Sequence, residues 1–505
     1  MQSEPTADAR RESGILLHLT SLPGPWGIGD LGDDARWFVD WLARAGQGSW
    51  QMLPVGPTGY GDSPYALLSL FGGNPLLVSL DRLAADGLLS GSDALPPPDL
   101  GAADRVEFGA VIPLKRARLE RAATTFFRDA PHQERTRFEE FLEAQQWWLD
   151  DCCRFLALKD QNGGRSWDQW DQHAPDPRLV DLHRLIQYWF HQQWHDLRAY
   201  AHARHVRLIG DVPIYPAYDS ADVWAHPEYY QVDAHGRPTA VAGVPPDYFS
   251  PTGQRWGNPL YDWERMRADG FQWWIGRLRY LGALFDVLRL DHFRGFAAYW
   301  RVPAGQPTAA HGEWVSAPGR ALFETLIRTG AIQGPTGGAG VRCIAEDLGL
   351  ITPDVTELRQ AFGFPGMRVL QFAFDGSPAN PHLPHHYEPN LVAYTATHDN
   401  DTMLGWYSRL DRPTRDLVHW YVGEEPTSWS FIRYVAGSVA CLAVFPLQDV
   451  LGLGSEARMN APGRAADNWR WRFRREALTD EIGATLRLIT ERYDRLPPRP
   501  PGSGS

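Results

Sequence analysis

The chain has 505 residues, a length that fits either about three domains or one large barrel carrying insertions. With 43% apolar and 22% charged residues it has the composition of a globular protein able to bury a large core without disulfides. Its net charge of −12 excludes the broad positive field that nucleic acid or an anionic membrane would require.

Taken in chain order, eight short apolar runs end in polar or turn residues. They are GILLHLTS (14–21), SWQMLPVGP (49–57), VRLIGDVPI (206–214), FDVLRLDHF (285–293), VRCIAEDLG (341–349), MRVLQFAFD (367–375), LVAYTATHD (391–399) and LAVFPLQDV (442–450). Near-continuous apolar runs bounded by turns describe buried parallel strands. Helical patterns lie between them, at Asp33–Ala45, Asp262–Leu281, Pro353–Phe362 and Arg475–Arg495 among others. Eight strands alternating with helices predict an α/β fold, a (β/α)8 or TIM barrel spanning 14–495. A mainly helical insertion is expected at about 80–175, and an irregular, aromatic-rich one at about 215–261. Residues 1–13 and 496–505 are expected to be loose tails.

Several chemistries are disfavoured at once. Only two lysines occur, Lys115 and Lys159, and neither follows a Gly-rich loop, which argues against a P-loop or a Schiff-base enzyme. GIGDLG at Gly27–Gly32 does not directly follow a strand, so it reads as a turn into a helix rather than a dinucleotide site. His191 and His195 have zinc-ligand spacing but lack the accompanying glutamate. The serine of Gly61-Asp62-Ser63 sits in no nucleophile elbow, and the pair Asp416 and His419 adds little to it. Four cysteines without a Cys-x-x-Cys pair, no leader-like N-terminus and no run of 18 apolar residues make a cytoplasmic protein the expectation.

The strongest signal is a set of carboxylates at strand C-termini: Asp211, Asp291, Glu346 and Asp399, the last beside His398. Singly, each would be read as a cap or loop residue. At one barrel mouth they converge on a common space. Arg289 lies two residues before Asp291 and so shares its strand face, where it would keep that aspartate ionised. An ionised aspartate facing a protonatable glutamate is the equipment of a retaining glycosidase. His292 is expected to point away. The 22 tryptophans read mainly as core, with some left over as flat platforms for sugar rings.

The segments GILLHLTSLPGPWGIGDLG, LPVGPTGYGDSPY, GDVPIY, GVPPDYFSPTGQRWGNPLYDW, LRLDHFRGF, AEDLG, FGFPGMRVLQFAF, THDNDT and MNAPGRAADNWRWR together resemble the amylomaltases of glycoside hydrolase family 77 over residues 14–495. The resemblance implies Asp291 as nucleophile, Glu346 as acid/base and Asp399, with His398, as the group gripping the donor sugar. It implies Tyr65, Asp211 and Arg289 as further core positions. Tyr248, Phe249, Gln254 and Trp256 would lie on a loop touching substrate. It further implies transfer of α-1,4-glucan segments between maltodextrin donors and glucose or maltooligosaccharide acceptors, with no metal or organic cofactor. No C-terminal β-domain is expected, and the assembly would be a monomer or weak homodimer. A plain α-glucan hydrolase and a non-catalytic glucan-binding protein are the rival readings.

Overall fold

The computed structural model describes residues 11–246, 250–464 and 466–497. The strands among them are β1 (Glu12–Leu16), β2 (Ser49–Gln51), β3 (Arg207–Val212), β4 (Ala240–Val244), β5 (Gln254–Pro259), β6 (Val287–Leu290), β7 (Ala298–Pro303), β8 (Glu313–Ser316), β9 (Arg342–Ala345), β10 (Gly366–Val369), β11 (Leu391–Tyr394) and β12 (Leu442–Pro446). Eight form one parallel sheet in the order β10-β11-β12-β1-β2-β3-β6-β9. Its two end strands meet through a backbone hydrogen bond from Ala345 N to Pro365 O (2.9 Å). The Asp347 carboxylate reinforces that seam by accepting from Met367 N at 2.6 Å. The result is a (β/α)8 barrel whose strands are the eight runs read from the sequence.

The outer helices form where the apolar stripe and its end signals coincide. Asp33–Arg44 buries Phe38, Val39, Trp41 and Leu42, opens with Asp33 and Asp34, and closes on Arg44. Pro177–His202, Gln272–Leu284, Gly319–Arg328, Pro353–Ala361, Ser428–Ala436 and Asp480–Arg492 complete the ring. Between β10 and β11 the chain makes only two 3-10 turns, Leu370–Phe372 and Pro384–His386.

Four boundaries differ from expectation. The helix read as Asp262–Leu281 is two, Trp263–Ala268 and Gln272–Leu284, because Gly270 and Phe271 take positive φ (73° and 59°) between them. The last helix starts at Asp480, where the Thr479 side chain caps Ile482 N, rather than at Arg475. The segment expected to be loose up to residue 13 is already in β1 from Glu12, paired with Leu442 of β12. The 215–261 insertion is not irregular: β4 and β5 join β7 and β8 in an antiparallel sheet of order β5-β4-β7-β8. Those strands are short, and β4 carries a bulge at 241–243, so period-2 patterning never builds up. No strand follows Pro446, and no helix is long and apolar enough to cross a membrane, among the described residues.

Leu80–Ala85, Phe108–Asp129 and His132–Gln161 form a helical layer between β2 and the barrel helix Pro177–His202. Lys115 pins that layer to the barrel. Its fully buried ammonium donates to Asp30 Oδ2 (2.8 Å), Leu76 O (2.7 Å) and Val78 O (2.9 Å), which uses all three of its protons. Removing one partner of such a pair strands the other charge in the interior. Lys115→Met is therefore expected to lower unfolding stability by about 3–5 kcal/mol. Adding Asp30→Asn to it should recover part of that loss, as read from urea-unfolding midpoints of both proteins.

Candidate active site

The parallel register of β3 and β6 sets Asp211 directly beside Arg289. Both side chains are buried, and Arg289 Nη1 lies 2.7 Å from each Asp211 oxygen and 2.8 Å from Asp291 Oδ1. Tyr65 OH donates to Asp211 Oδ2 at 2.7 Å. Burial pushes the Asp211 acid up, and Arg289 opposes that shift. For Arg289, burial works against its charge, but the facing carboxylates outweigh it and hold it as a cation. Asp291 follows the last residue of β6 and is the carboxylate of this cluster that opens to the mouth, its side chain 29% exposed.

Glu346 comes one residue after β9. Its oxygens accept from two backbone donors, His292 N to Oε2 (2.8 Å) and Leu348 N to Oε1 (2.9 Å). Burial raises its acid to about 7, with Arg289 pulling down and Asp291 pushing up. Near neutrality this carboxyl is thus divided between its protonated and ionised forms.

Asp399 stands across the mouth, beyond β11 and half exposed. Its Oδ1 accepts from Asn460 Nδ2 at 2.6 Å and lies 3.4 Å from His398 Nε2. Its backbone carbonyl takes a hydrogen bond from Arg458 Nη2 (2.7 Å). The His398 ring stacks on Tyr65 with centroids 5.1 Å apart, and Trp469 lies 5.9 Å from Tyr65 and 6.1 Å from His398. The aromatic group links the β2 loop, the β11 loop and the segment after β12.

Seven residues singled out in the sequence therefore meet in one mouth: Tyr65, Asp211, Arg289, Asp291, Glu346, His398 and Asp399. Trp256 and Gln254 lie on β5, where Trp256 Nε1 donates to Gln254 Oε1 at 3.2 Å. The Trp256 ring meets His292 edge-on, centroids 4.8 Å apart. His292 was expected to face away as part of a strand, but β6 ends at Leu290 and His292 adopts φ 50°, so strand alternation no longer governs it. Tyr248 and Phe249 lie outside the described residues. Asn460, Arg458 and Trp469 escape sequence reasoning because they follow the last strand; the only signal for Asn460 and Trp469 is their place within the MNAPGRAADNWRWR segment, which Arg458 immediately precedes.

The disfavoured motifs take structural places. Residues 27–32 lead into the helix capped by Gly32, and Ser63 Oγ accepts from Tyr65 N (3.2 Å). His191 is buried between Gln187 O (2.8 Å) and Tyr280 OH (3.1 Å), and His419 pairs with Tyr407 OH (2.6 Å). Among the described residues, no group of three or more His, Cys, Asp or Glu side chains could hold a metal ion.

A barrel whose mouth gathers carboxylates held in contrasting environments defines an enzyme built for glycosidic-bond chemistry. The family model described as 4-alpha-glucanotransferase, glycoside hydrolase family 77, matches residues 17–479, and the chain belongs to that family. It is 48% identical to the 4-alpha-glucanotransferase of Thermus thermophilus over 96% of this chain and 99% of that protein. The Synechocystis 4-alpha-glucanotransferase is 47% identical, over 96% and 98% of the two chains. The amylomaltase from Streptococcus agalactiae in complex with acarbose superposes with TM-score 0.90 at 34% identity, covering 96% of this chain and all of that one. The chain is thus a 4-alpha-glucanotransferase, a transferase acting on glucans.

An acid raised in the fold from 4.5 to about 7 binds its proton more tightly there than in the unfolded chain. Stability contributed by Glu346 is therefore fully present below about pH 4.5 and lost as pH rises through about 7. Glu346→Gln should raise unfolding stability at pH 8 by on the order of 2 kcal/mol. The gain should shrink towards zero at pH 4.5. Urea melts of both proteins at the two pH values read this difference, and a gain independent of pH would contradict it.

Proposed function

We propose that Asp291 is the nucleophile and Glu346 the general acid/base of a retaining double displacement on maltodextrins. The reading rests on one observation: two carboxylates share a mouth, one on the Arg289 guanidinium and the other raised to about 7. Protonated Glu346 gives its proton to the glycosidic oxygen as an Asp291 oxygen attacks the anomeric carbon, forming a β-linked glucosyl ester and releasing the shortened glucan. Ionised Glu346 then takes the proton from an acceptor 4-hydroxyl. That oxygen displaces Asp291 and restores the α-linkage. Asp399, oriented by Asn460 and flanked by His398, is placed to bind donor-ring hydroxyls. Tyr65 and Asp211 hold Arg289 against the nucleophile. In this reading the donors and acceptors are maltooligosaccharides, and the four free cysteines fit the reducing cytoplasm.

The glycosyl ester is partitioned between water at ~55 M and an acceptor at millimolar levels, so transfer wins only if the acceptor is bound in line and water is kept out. The β4–β5 hairpin sets Trp256 against His292, next to the His292 N–H that holds Glu346. In this reading the hairpin covers the acceptor side.

Asp291→Asn should lower transfer by at least about 10⁴-fold with the fold intact, since an amide cannot serve as the nucleophile. Turnover near wild type in a carefully purified variant would remove the assignment. On maltotriose, the wild type should release glucose and build longer dextrins with almost no rise in total reducing ends. Trp256→Ala should shift this balance towards hydrolysis, seen as reducing ends climbing with glucose. A wild type that behaves that way would be a hydrolase, and a variant with the wild-type ratio would leave Trp256 no part in excluding water.

A further inference from the structure

A groove of about 530 Å³ opens on the outer side of the barrel, between the helix His132–Gln161 and the barrel helix Gln272–Leu284. None of Asp211, Arg289, Asp291, Glu346 or Asp399 lines it. Its floor is aromatic: Phe71, Trp148 and Trp273 are all more than nine-tenths buried. Phe71 packs edge-on against Trp147 (5.2 Å) and Trp273 (6.0 Å). Trp147 forms a wall and stays 52% exposed. It lies across Gly276, where any Cβ would meet its ring at 3.1 Å. The rim is polar, with Asp151, His226 and Gln272.

The lining selects among ligands. Asp151 and His226 face each other at 3.3 Å, and Arg279, whose Nη2 donates to Thr329 O (2.7 Å), also lines the groove. The rim thus sets hydrogen-bond donors and acceptors side by side. An aromatic floor under a mixed donor and acceptor rim fits a neutral ligand with apolar ring faces and many peripheral hydroxyls. Buried Asp222 adds a carboxylate at the floor, one oxygen already taken by Leu70 N (2.9 Å).

The groove and the reaction centre share a wall. Tyr65 reaches Asp211 from one side of the loop that follows β2, while Ser69 and Phe71 of the same loop face the groove. That loop is tied to the groove's other edge by Ala221 N to Leu68 O (2.8 Å).

We propose that this groove, walled by Trp147 and floored by Phe71, Trp148 and Trp273, is an α-glucan-holding site separate from the reaction centre. The inference rests on the glucan-transfer reading above. It supplies a second foothold for long chains, whose effective concentration at the enzyme rises once one end is held.

Maltoheptaose titrated calorimetrically into Asp291→Asn protein, which cannot turn it over, should bind at two sites per chain. Adding Trp147→Ala, or Gly276→Leu to fill the groove, should leave one. In the otherwise unaltered enzyme, either substitution should keep kcat/KM on maltotriose within about two-fold while weakening retardation in amylose-containing native gels by about ten-fold. A single site in the Asp291→Asn parent overturns the proposal. So does unchanged retardation in both groove variants, and so does parallel loss of maltotriose turnover and amylose binding in both. A wild type inactive on maltotriose would instead defeat the transferase reading, a result separable from the binding stoichiometry.

Discussion

One guanidinium organises the mouth of this barrel. Arg289 Nη1 is shared between a carboxylate with no exposed side-chain surface, Asp211, and one that opens to the mouth, Asp291. Taking three charged groups out of water is costly, and the arrangement persists because each lies within hydrogen-bond reach of an opposite charge. Removing Arg289 would strand Asp211 in the interior and free Asp291 to move. Tyr65 donates to Asp211 Oδ2 and in turn carries the His398 ring, which precedes Asp399. A chain of direct contacts thus runs from the buried ion pair to the opposite side of the mouth.

Glu346 sits next to the barrel's least regular joint. β9 and β10 close the sheet through a backbone bond and through Asp347, which takes Met367 N and lies 3.2 Å from Arg359 Nε. Glu346 immediately precedes that aspartate. Its backbone is clamped to β6 by Glu346 N to Leu290 O and Phe293 N to Glu346 O, both 3.1 Å. The side chain is therefore held by amides rather than by a cation. Arg289 pulls its acid down without an ion pair strong enough to keep it ionised at neutral pH, which leaves it free to give and take a proton.

Both lysines of the chain are spent on joints between layers. Lys115 ties the helical layer to the loop before the first barrel helix. Lys159, at the end of the helix His132–Gln161, pairs with Asp219 in the segment that leads from β3 towards β4 and β5. Through that pair the helical layer, the outer groove and the active-site insertion are mechanically connected.

The sequence by itself determined the eight barrel strands, because buried parallel strands need continuous apolar runs ended by turns. It also placed Asp211, Asp291 and Glu346 at strand ends, since a strand end at a barrel mouth is a local property of the chain, whereas Asp399, read as a strand end, lies in the loop beyond β11. Tertiary structure decided what local pattern cannot encode. The pairing of Asp211 with Arg289 depends on the register of β3 against β6, two strands 78 positions apart at that pair. The small sheet of β4, β5, β7 and β8 draws on two separate loops, and its strands are too short to show a period. His292 departs from its strand because β6 stops two residues earlier. Asn460 and Trp469 reach Asp399 and His398 from beyond the last strand, a closeness that exists only once the barrel has brought its two ends of chain together.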